Sequence, residues 1–226
     1  MKRFAWLVFF IFLLGGAWSQ ANAYDYPFKD PYLATVIATP EEFQPKLPKK
    51  IDYKMLSFKV FPEREIPSVF WYQREFRYSL TYQKGEAPLI FVIAGTGSSF
   101  YSANMIFFQR IFYQAGFHVI CLPSPTHMNF ITTASATSLP GNIIADAADL
   151  YRVMTMAWEQ VKGRIKVSEF YLTGYSLGAS EAAFVAKLDE EKKVFNFKKV
   201  LMINPAVSLY SSAKILDKML LAALPG

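Results

Sequence analysis

The chain has 226 residues, a formal net charge of +6 and one cysteine, Cys121. A single cysteine excludes an intramolecular disulfide, and the two histidines, His118 and His127, lack companions at the spacing of a zinc or haem site. We therefore predict neither a metal nor a cofactor. The lysines are scattered in small groups without a nucleic-acid motif, which argues against nucleic-acid binding and leaves contact with an anionic membrane surface open.

The N-terminus is typical of an export signal. Lys2 and Arg3 precede an unbroken apolar run over residues 4–14, and Ala21-Asn22-Ala23 forms a small-x-small cleavage site. We predict a signal peptide over residues 1–23 and a secreted or periplasmic protein. The alternative is an uncleaved anchor, although the apolar run is shorter than the roughly 20 residues of a spanning helix.

Residues 24–54 contain five prolines and no sustained hydrophobic period, which predicts an extended N-terminal arm with little regular structure. A domain over residues 55–226 follows. Its first part, residues 55–61 and 69–82, has the partial alternation of strands.

From residue 89 the chain alternates between strand and helix patterns. The first strand is a continuous apolar run, as expected of a strand covered on both faces. A long Ser/Thr-rich loop is predicted over residues 123–141, and Asn142 is placed to cap the helix that follows it. The alternation predicts an α/β domain with a doubly wound, mostly parallel sheet and flanking helices. The predicted strands are residues 89–94, 118–122, 169–173 and 199–204, and the helices are residues 102–115, 143–161, 177–188 and 211–224.

The motif Gly174-Tyr175-Ser176-Leu177-Gly178 lies between a predicted strand and a predicted helix. A sharp strand-to-helix turn needs small residues two positions before and after its apex, and it exposes the apical serine. The alternative is an ordinary glycine-rich turn without a functional role.

A second glycine-rich loop, Gly95-Thr96-Gly97, follows the first buried strand. It does not match a dinucleotide fingerprint, because Phe100 stands where the third glycine is needed. It also lacks the lysine of a phosphate-binding loop. A plain tight turn is the remaining alternative to a functional loop.

Together these motifs resemble the α/β-hydrolase superfamily, whose esterase-like and lipase-like serine hydrolases share one fold. Residues 55–210 are similar to its N-terminal two-thirds, with the serine turn on the third of four buried strands. The resemblance implies that Ser176 is the nucleophile and that the backbone N–H groups of Thr96 and Leu177 form the oxyanion hole. Gly95 and Gly97 would let the main chain approach the substrate carbonyl. Ala94 replaces the histidine common in that loop, so the resemblance does not identify the substrate.

The family's chain order is serine, then an acid, then a histidine, yet no histidine follows Ser176. His118 is placed away from the serine and is expected to be structural. His127 lies on the same edge of the sheet as Ser176, where it either contacts substrate or is a solvated loop residue. Glu181 on the serine turn's helix is expected to be solvated, and no acid lies at the end of a later strand. The acids considered are Glu181, Asp189, Glu190, Glu191 and Asp217.

The missing base and acid predict that the domain is incomplete at its C-terminus and that this chain alone is inactive. Residues 211–226 would then begin a lid, and the last strand would leave an open sheet edge. The predicted full-length function is a serine hydrolase of ester, thioester or amide bonds. The alternative is a non-catalytic, envelope-associated binding protein on a hydrolase scaffold.

The predicted partner is a small-molecule or lipid-like acyl substrate, and the sequence does not predict an oligomeric state. Three aromatic residues near the expected site, Phe100, Tyr101 and Phe130, hint at an apolar acyl group.

Overall fold

The computed structural model describes residues 28–37 and 39–224, which fall into two compact units divided between Lys46 and Leu47. The predicted signal peptide over residues 1–23 lies outside the described residues. The described part of the first unit contains helix α1 (Pro31–Val36) and a 3-10 helix (Glu41–Phe43). Asp30 begins α1 by accepting a hydrogen bond from the Leu33 N–H, so regular structure occurs in the predicted extended arm.

The second unit is built on one six-stranded sheet. Its strand order is β1-β2-β4-β3-β5-β6. β3, β4, β5 and β6 run parallel, whereas β2 is antiparallel to both β1 and β4. The predicted α/β architecture with a mostly parallel sheet is confirmed. The strands are β1 (Lys54–Phe58), β2 (Phe76–Thr81), β3 (Ala87–Ile93), β4 (His118–Leu122), β5 (Val167–Tyr175) and β6 (Lys199–Ile203).

Five helices of the second unit connect or follow these strands. They are α2 (Ala103–Gln114), α3 (Met128–Thr133), α4 (Ile143–Val161), α5 (Leu177–Lys192) and α6 (Leu209–Ala223). Asn142 caps α4 as predicted, since its side chain accepts from the N–H groups of Ile144 and Ala145.

Helix α3 falls in the stretch that the sequence predicts as a loop, so that prediction is wrong there. The His127 side chain caps it by accepting from the Asn129 N–H. The Phe130 ring packs edge-on against Phe76 at 5.6 Å between centroids. The polar composition of this segment does not predict a helix, because the helix is stabilised by a tertiary contact, the burial of Phe130.

The predicted long strand over residues 69–82 is also too long. Residues 68–70 form a 3-10 helix, and β2 begins only at Phe76. Hydrogen bonds from the Trp71 N–H to the Ser68 carbonyl and from the Gln73 N–H to the Phe70 carbonyl turn the chain there. The aromatic composition fits a strand, but these local turns prevent one.

Residues of β3 are buried alternately in two hydrophobic clusters. Leu89, Phe91 and Ile93 belong to the larger cluster with α4 and α5 residues, whereas Ile90 and Val92 belong to the smaller one with α2 residues. The prediction that this strand is covered on both faces is confirmed.

Strand β6 differs from its predicted burial. It is last in the strand order and pairs only with β5, so one of its edges is unpaired within the described sheet. Leu201 and Met202 are 52% and 48% exposed. An apolar run predicts a strand, but its position in the sheet decides whether the side chains are covered.

Asp189 joins the end of α5 to α4 and to the segment before β6. Its carboxylate accepts hydrogen bonds from the Tyr151 hydroxyl (2.6 Å), the Phe195 N–H (3.0 Å) and the Phe197 N–H (3.3 Å). The side chain is buried and occupied by these donors. Asp189 is therefore a structural residue, not an acid available to an active site.

Replacing Asp189 by Ala should destabilise the domain, because three donors lose their acceptor in a buried site. An unsatisfied buried donor costs about 1–3 kcal/mol, so we expect a loss of at least ~2 kcal/mol in the free energy of unfolding. Urea unfolding followed by circular dichroism measures this. The neighbouring exposed Glu190→Ala is the control and should leave the midpoint unchanged; equal midpoints for both variants would contradict this role.

Candidate active site

Ser176 lies at the turn between β5 and α5, with φ 55° and ψ −125°. A non-glycine residue rarely adopts this backbone conformation, because it brings the side chain close to the main chain. The Ser176 N–H donates to the Ile203 carbonyl at 2.9 Å, which helps to hold the turn. The serine is exposed. The geometry is that of a sharp strand-to-helix turn with a serine at its apex, as the sequence predicts.

The two glycines that flank the serine turn, Gly174 and Gly178, have no room for a side chain. A Cβ on Gly174 would lie 2.2 Å from the Gly178 carbonyl oxygen. A Cβ on Gly178 would lie 2.5 Å from the carbonyl oxygens of Ile93 and Ala94 at the end of β3. Helix α5 therefore begins in direct backbone contact with the central strand, and no side chain fits between them.

The loop after β3 passes close to the serine. A Cβ on Gly95 would lie 3.2 Å from the Ser176 Cβ and 2.7 Å from Cε2 of the Tyr175 ring. The next residue, Thr96, is exposed, and its backbone N–H has no hydrogen-bond acceptor among the described residues. Leu177 is the first residue of α5, so its N–H has no partner inside the helix. Thr96 thus follows the glycine that contacts the serine turn, and Leu177 follows Ser176 directly in the chain.

Contacts that the sequence does not reveal hold this loop in place. The Gly97 N–H donates to the Thr126 hydroxyl at 2.7 Å, and the Ser124 N–H donates to the Ser98 carbonyl at 3.0 Å. The Tyr175 hydroxyl donates to the Ser98 hydroxyl at 3.0 Å. The loop is therefore fixed both to the segment after β4 and to the serine turn. Oxyanion donors stabilise a transition state best when they are held in position beforehand.

His127 lies in the segment after β4 and is half-buried. Its Nδ1 accepts a hydrogen bond from the Asn129 N–H at 3.2 Å, and burial lowers the pKa of the ring. The imidazole is therefore neutral at pH 7, with its proton on Nε2. In that tautomer Nε2 donates a hydrogen bond and accepts no proton, which fits contact with a substrate better than the role of a base.

His118 begins β4, at the opposite end of that strand from His127. It is fully buried, its Nδ1 accepts from the Gln83 N–H, and its Nε2 donates to the Lys166 carbonyl. Both ring nitrogens are occupied by the backbone. The histidine joins three segments of the fold and is structural, as the sequence predicts.

Glu181 is only 1% exposed, so the expectation of a solvated helix residue is wrong. Helix α5 packs against α4, and this contact places Glu181 near Asp146. Neither carboxyl oxygen of Glu181 has a hydrogen-bond partner. Burial, together with the Asp146 charge, raises the pKa of Glu181 to about 9. Glu181 is therefore protonated at neutral pH and cannot hold an imidazolium by charge.

The remaining acid candidates are exposed on α5 and α6: Glu190, Glu191 and Asp217. Among the described residues, the Ser176 hydroxyl has no hydrogen bond to any histidine or carboxylate. The structure brings together the serine turn with Gly174 and Gly178 and the loop with Gly95, but it adds neither a base nor an acid to them.

Two of the three aromatic residues suggested as substrate contacts are core residues. Phe100 and Phe130 are buried, whereas Tyr101 is 56% exposed with its ring against Phe100.

Within the described part of the chain, there is no cluster of three or more histidine, cysteine or acidic residues suited to a metal ion. No described helix has the length and apolar character needed to cross a membrane.

Replacing Gly178 by Ala should disrupt the serine turn, because the new methyl group would collide with two backbone carbonyls that cannot move aside. Overpacking of this kind costs about 1–3 kcal/mol, and we expect at least the upper part of that range. The matched control is Gly163→Ala, where no atom lies within 4 Å of the new Cβ. Thermal unfolding compares the two variants; a tolerated Gly178→Ala would contradict the observed backbone contact.

Replacing Glu181 by Gln should stabilise the protein at neutral and mildly alkaline pH. Because the folded-state pKa is raised from about 4.5 to about 9, the folded protein holds a proton that the unfolded chain releases. Stability from this group is thus complete below about pH 4.5 and is lost as the pH rises toward 9. The Gln variant should unfold at least ~2 °C higher at pH 8 and depend less on pH.

The exposed Glu190→Gln on the same helix is the control for this experiment, since it makes the same substitution at a position in solvent. Melting curves of both variants between pH 5 and 8.5 show whether the stability depends on the protonation of Glu181. A Glu181→Gln curve parallel to that of the unchanged protein would show that this carboxyl does not titrate as described.

Several solved structures that resemble the fold of this chain are esterases. A double mutant of the esterase rPPE superposes with a TM-score of 0.50 and 16% sequence identity, over 70% of this chain and 44% of that one. EstE1, a carboxylesterase cloned from a metagenomic library, gives a TM-score of 0.49 at 16% identity, over 70% and 48%. Est1E from Butyrivibrio proteoclasticus with bound ferulic acid gives 0.48 at 16%, over 62% and 53%.

The match thus spans about half of each of these chains. No protein-family model matches the chain, and no curated protein sequence matches it. At such low identity the likeness concerns the fold alone. The second unit of this chain has an α/β-hydrolase-like fold.

Proposed function

We propose that this protein is a serine hydrolase of ester bonds, with Ser176 as the nucleophile and the N–H groups of Thr96 and Leu177 as the oxyanion donors. The observation that carries this proposal is the close approach of the β3 loop to the strained serine turn. It supports the proposal because the loop that carries Thr96 meets the turn that carries Ser176 and Leu177, and neither N–H has an acceptor among the described residues. A plain glycine-rich turn would require neither the strained serine nor the close approach.

In the proposed reaction the Ser176 oxygen attacks the carbonyl carbon of the ester and loses its proton. Negative charge develops on the carbonyl oxygen, where the two N–H groups stabilise it. The C–O bond to the alcohol then breaks, the alcohol leaves with a proton, and an acyl-serine remains for hydrolysis by water. One oxyanion donor contributes roughly 10²–10³ in rate.

The proposal assigns no proton acceptor within the described chain. His127 presents a donor at Nε2, His118 is bonded to the backbone on both sides, and Glu181 is protonated at neutral pH. Without a base a serine hydroxyl is a weak nucleophile. Unassisted attack should therefore be slow and should accelerate with pH as more of the hydroxyl ionises.

Esters are favoured over amides on two grounds, of which only the first also separates them from thioesters. The esterase rPPE shares the fold, and an ester is more reactive than an amide toward a serine that has no aligned base. The proposed substrate is a small or lipid-like acyl ester. Export through a signal peptide over residues 1–23 remains a prediction from the sequence.

Labelling with a fluorophosphonate probe tests the proposal, because the probe reacts with a serine held beside oxyanion donors without needing hydrolysis to finish. Ser176→Ala should abolish labelling. Ser168→Ala is the control; it removes an exposed hydroxyl at the far end of the same strand and should label like the unchanged protein. The labelling rate should rise steadily between pH 6.5 and 8.5.

Two outcomes would contradict parts of this assignment. A folded protein that is not labelled at Ser176 would favour the non-catalytic binding protein instead. A labelling rate that levels off near pH 7 and responds to His127→Gln would contradict the hydrogen-bonded tautomer described for that histidine.

A further inference from the structure

Residues 59–75 connect β1 to β2, and Val69 and Trp71 of this segment are large apolar side chains in solvent. Val69 is 67% exposed and Trp71 is 68% exposed. The segment is nevertheless ordered: the Phe70 N–H donates to the Pro67 carbonyl at 2.8 Å, and the Trp71 ring packs edge-on against Tyr72 at 5.8 Å. An exposed apolar pair on an ordered loop is a feature typical of an interaction site.

A cationic pocket of about 370 Å³ lies beside this segment. Three cations line it, Lys59, Arg64 and Arg74, together with one acid, Glu65. None of the three cations belongs to an ion pair among the described residues. The pocket therefore carries an excess of two positive charges, which favours an anionic ligand.

The two arginines are positioned by contacts that leave donors free. The Arg64 guanidinium stacks 4.1 Å from the Phe61 ring centroid and donates one hydrogen bond to the Thr132 carbonyl. Arg74 uses its Nε to donate to the Trp71 carbonyl, which ties the pocket to the apolar pair. A guanidinium has five N–H donors, so both side chains retain donors for an incoming phosphate.

The charged groups around Arg64 do not neutralise the pocket. Asp149 is the acid whose charge acts on Arg64. Its carboxylate already accepts from the Arg152 guanidinium and from the Ala136 N–H. Burial lowers the pKa of Arg64, which agrees with a cation that lacks a close counter-ion.

The strand register places this region on the same edge of the sheet as Ser176. β2 is antiparallel to β4, with Ser79 opposite Cys121, so β2 begins where the parallel strands end. Thr133, at the end of α3, also lines the pocket. β2 and β5 are three places apart in the sheet, which corresponds to about 14 Å at ~4.8 Å per strand.

We propose that Lys59, Arg64, Val69, Trp71 and Arg74 form a docking surface for an anionic phospholipid bilayer. The cationic pocket takes a headgroup phosphate, and Val69 and Trp71 enter the membrane–water interface. Tryptophan favours that interface, and basic residues near an anionic surface are attracted to it. A soluble anion would explain the pocket but not the adjacent apolar pair.

Docking in this orientation turns the edge that carries Ser176 toward the bilayer and fits a lipid-like acyl substrate for the proposed hydrolase. The docking surface itself does not rest on the proposed function, because none of its residues belongs to the serine site. Ser176→Ala should bind vesicles like the unchanged protein, so failure of one proposal is distinguishable from failure of the other.

Sedimentation with vesicles tests the docking surface. The unchanged full chain should bind vesicles of phosphatidylcholine and phosphatidylglycerol more tightly than vesicles of phosphatidylcholine alone. The triple variant Lys59→Gln, Arg64→Gln and Arg74→Gln should bind the anionic vesicles at least about tenfold more weakly. Val69→Ser with Trp71→Ala should weaken binding to both kinds of vesicle.

The matched control is the triple variant Lys84→Gln, Lys162→Gln and Lys166→Gln. It removes the same charge from exposed positions at the opposite edge of the sheet and should bind like the unchanged protein. All variants keep the same N-terminus, so any affinity of its apolar run is common to them. If Arg64→Gln unfolds the domain, the double variant Lys59→Gln and Arg74→Gln replaces the triple.

Three results would overturn the proposal. Equal losses in the two triple variants would mean that net charge alone drives binding. Unchanged binding in the docking-surface variants would mean that another surface is used. Full displacement by glycerol phosphate, with no effect of Val69→Ser and Trp71→Ala, would identify a small-anion site in place of a bilayer surface.

Discussion

The backbone contact between the start of α5 and the end of β3 is the constraint on which the serine site depends. Gly178 lies so close to the carbonyls of Ile93 and Ala94 that no side chain fits there. The loop after β3, which carries Thr96, also lies against Ser176. Strand order makes the contact possible, because β3 and β5 are neighbours in the sheet although β4 lies between them in the chain.

The backbone geometry of the serine site is in place, but no histidine or carboxylate of the described chain is hydrogen-bonded to the Ser176 hydroxyl. Titratable groups are close to the serine turn in the chain or in the sheet, yet the structure gives each of them another role. His127 caps a helix, Asp189 binds two N–H groups and a hydroxyl, and Glu181 is buried beside Asp146. The described chain thus contains the proposed nucleophile and oxyanion donors, and a positioned base is the element that the proposed chemistry still requires.

Two pairs of apolar residues remain exposed in different parts of the fold. Val69 and Trp71 are exposed although the loop that carries them is ordered, whereas Leu201 and Met202 are exposed because β6 is last in the sheet. The first pair lies beside an unpaired cluster of cations, and this combination of charge and aromatic surface supports a membrane as its partner.

The sequence by itself determined the alternation of strands and helices, the buried character of β3 and the identity of the serine turn. These features are local: a period of apolar residues, a glycine spacing and a capping Asn142 are all read within a few residues. Only the tertiary structure decided the environments of Glu181 and Phe130. Whether a residue is covered depends on which helix packs over it, and that information is distributed over the whole chain. For the same reason the hydrogen bonds that hold the loop after β3, which join segments far apart in sequence, became visible only in the fold.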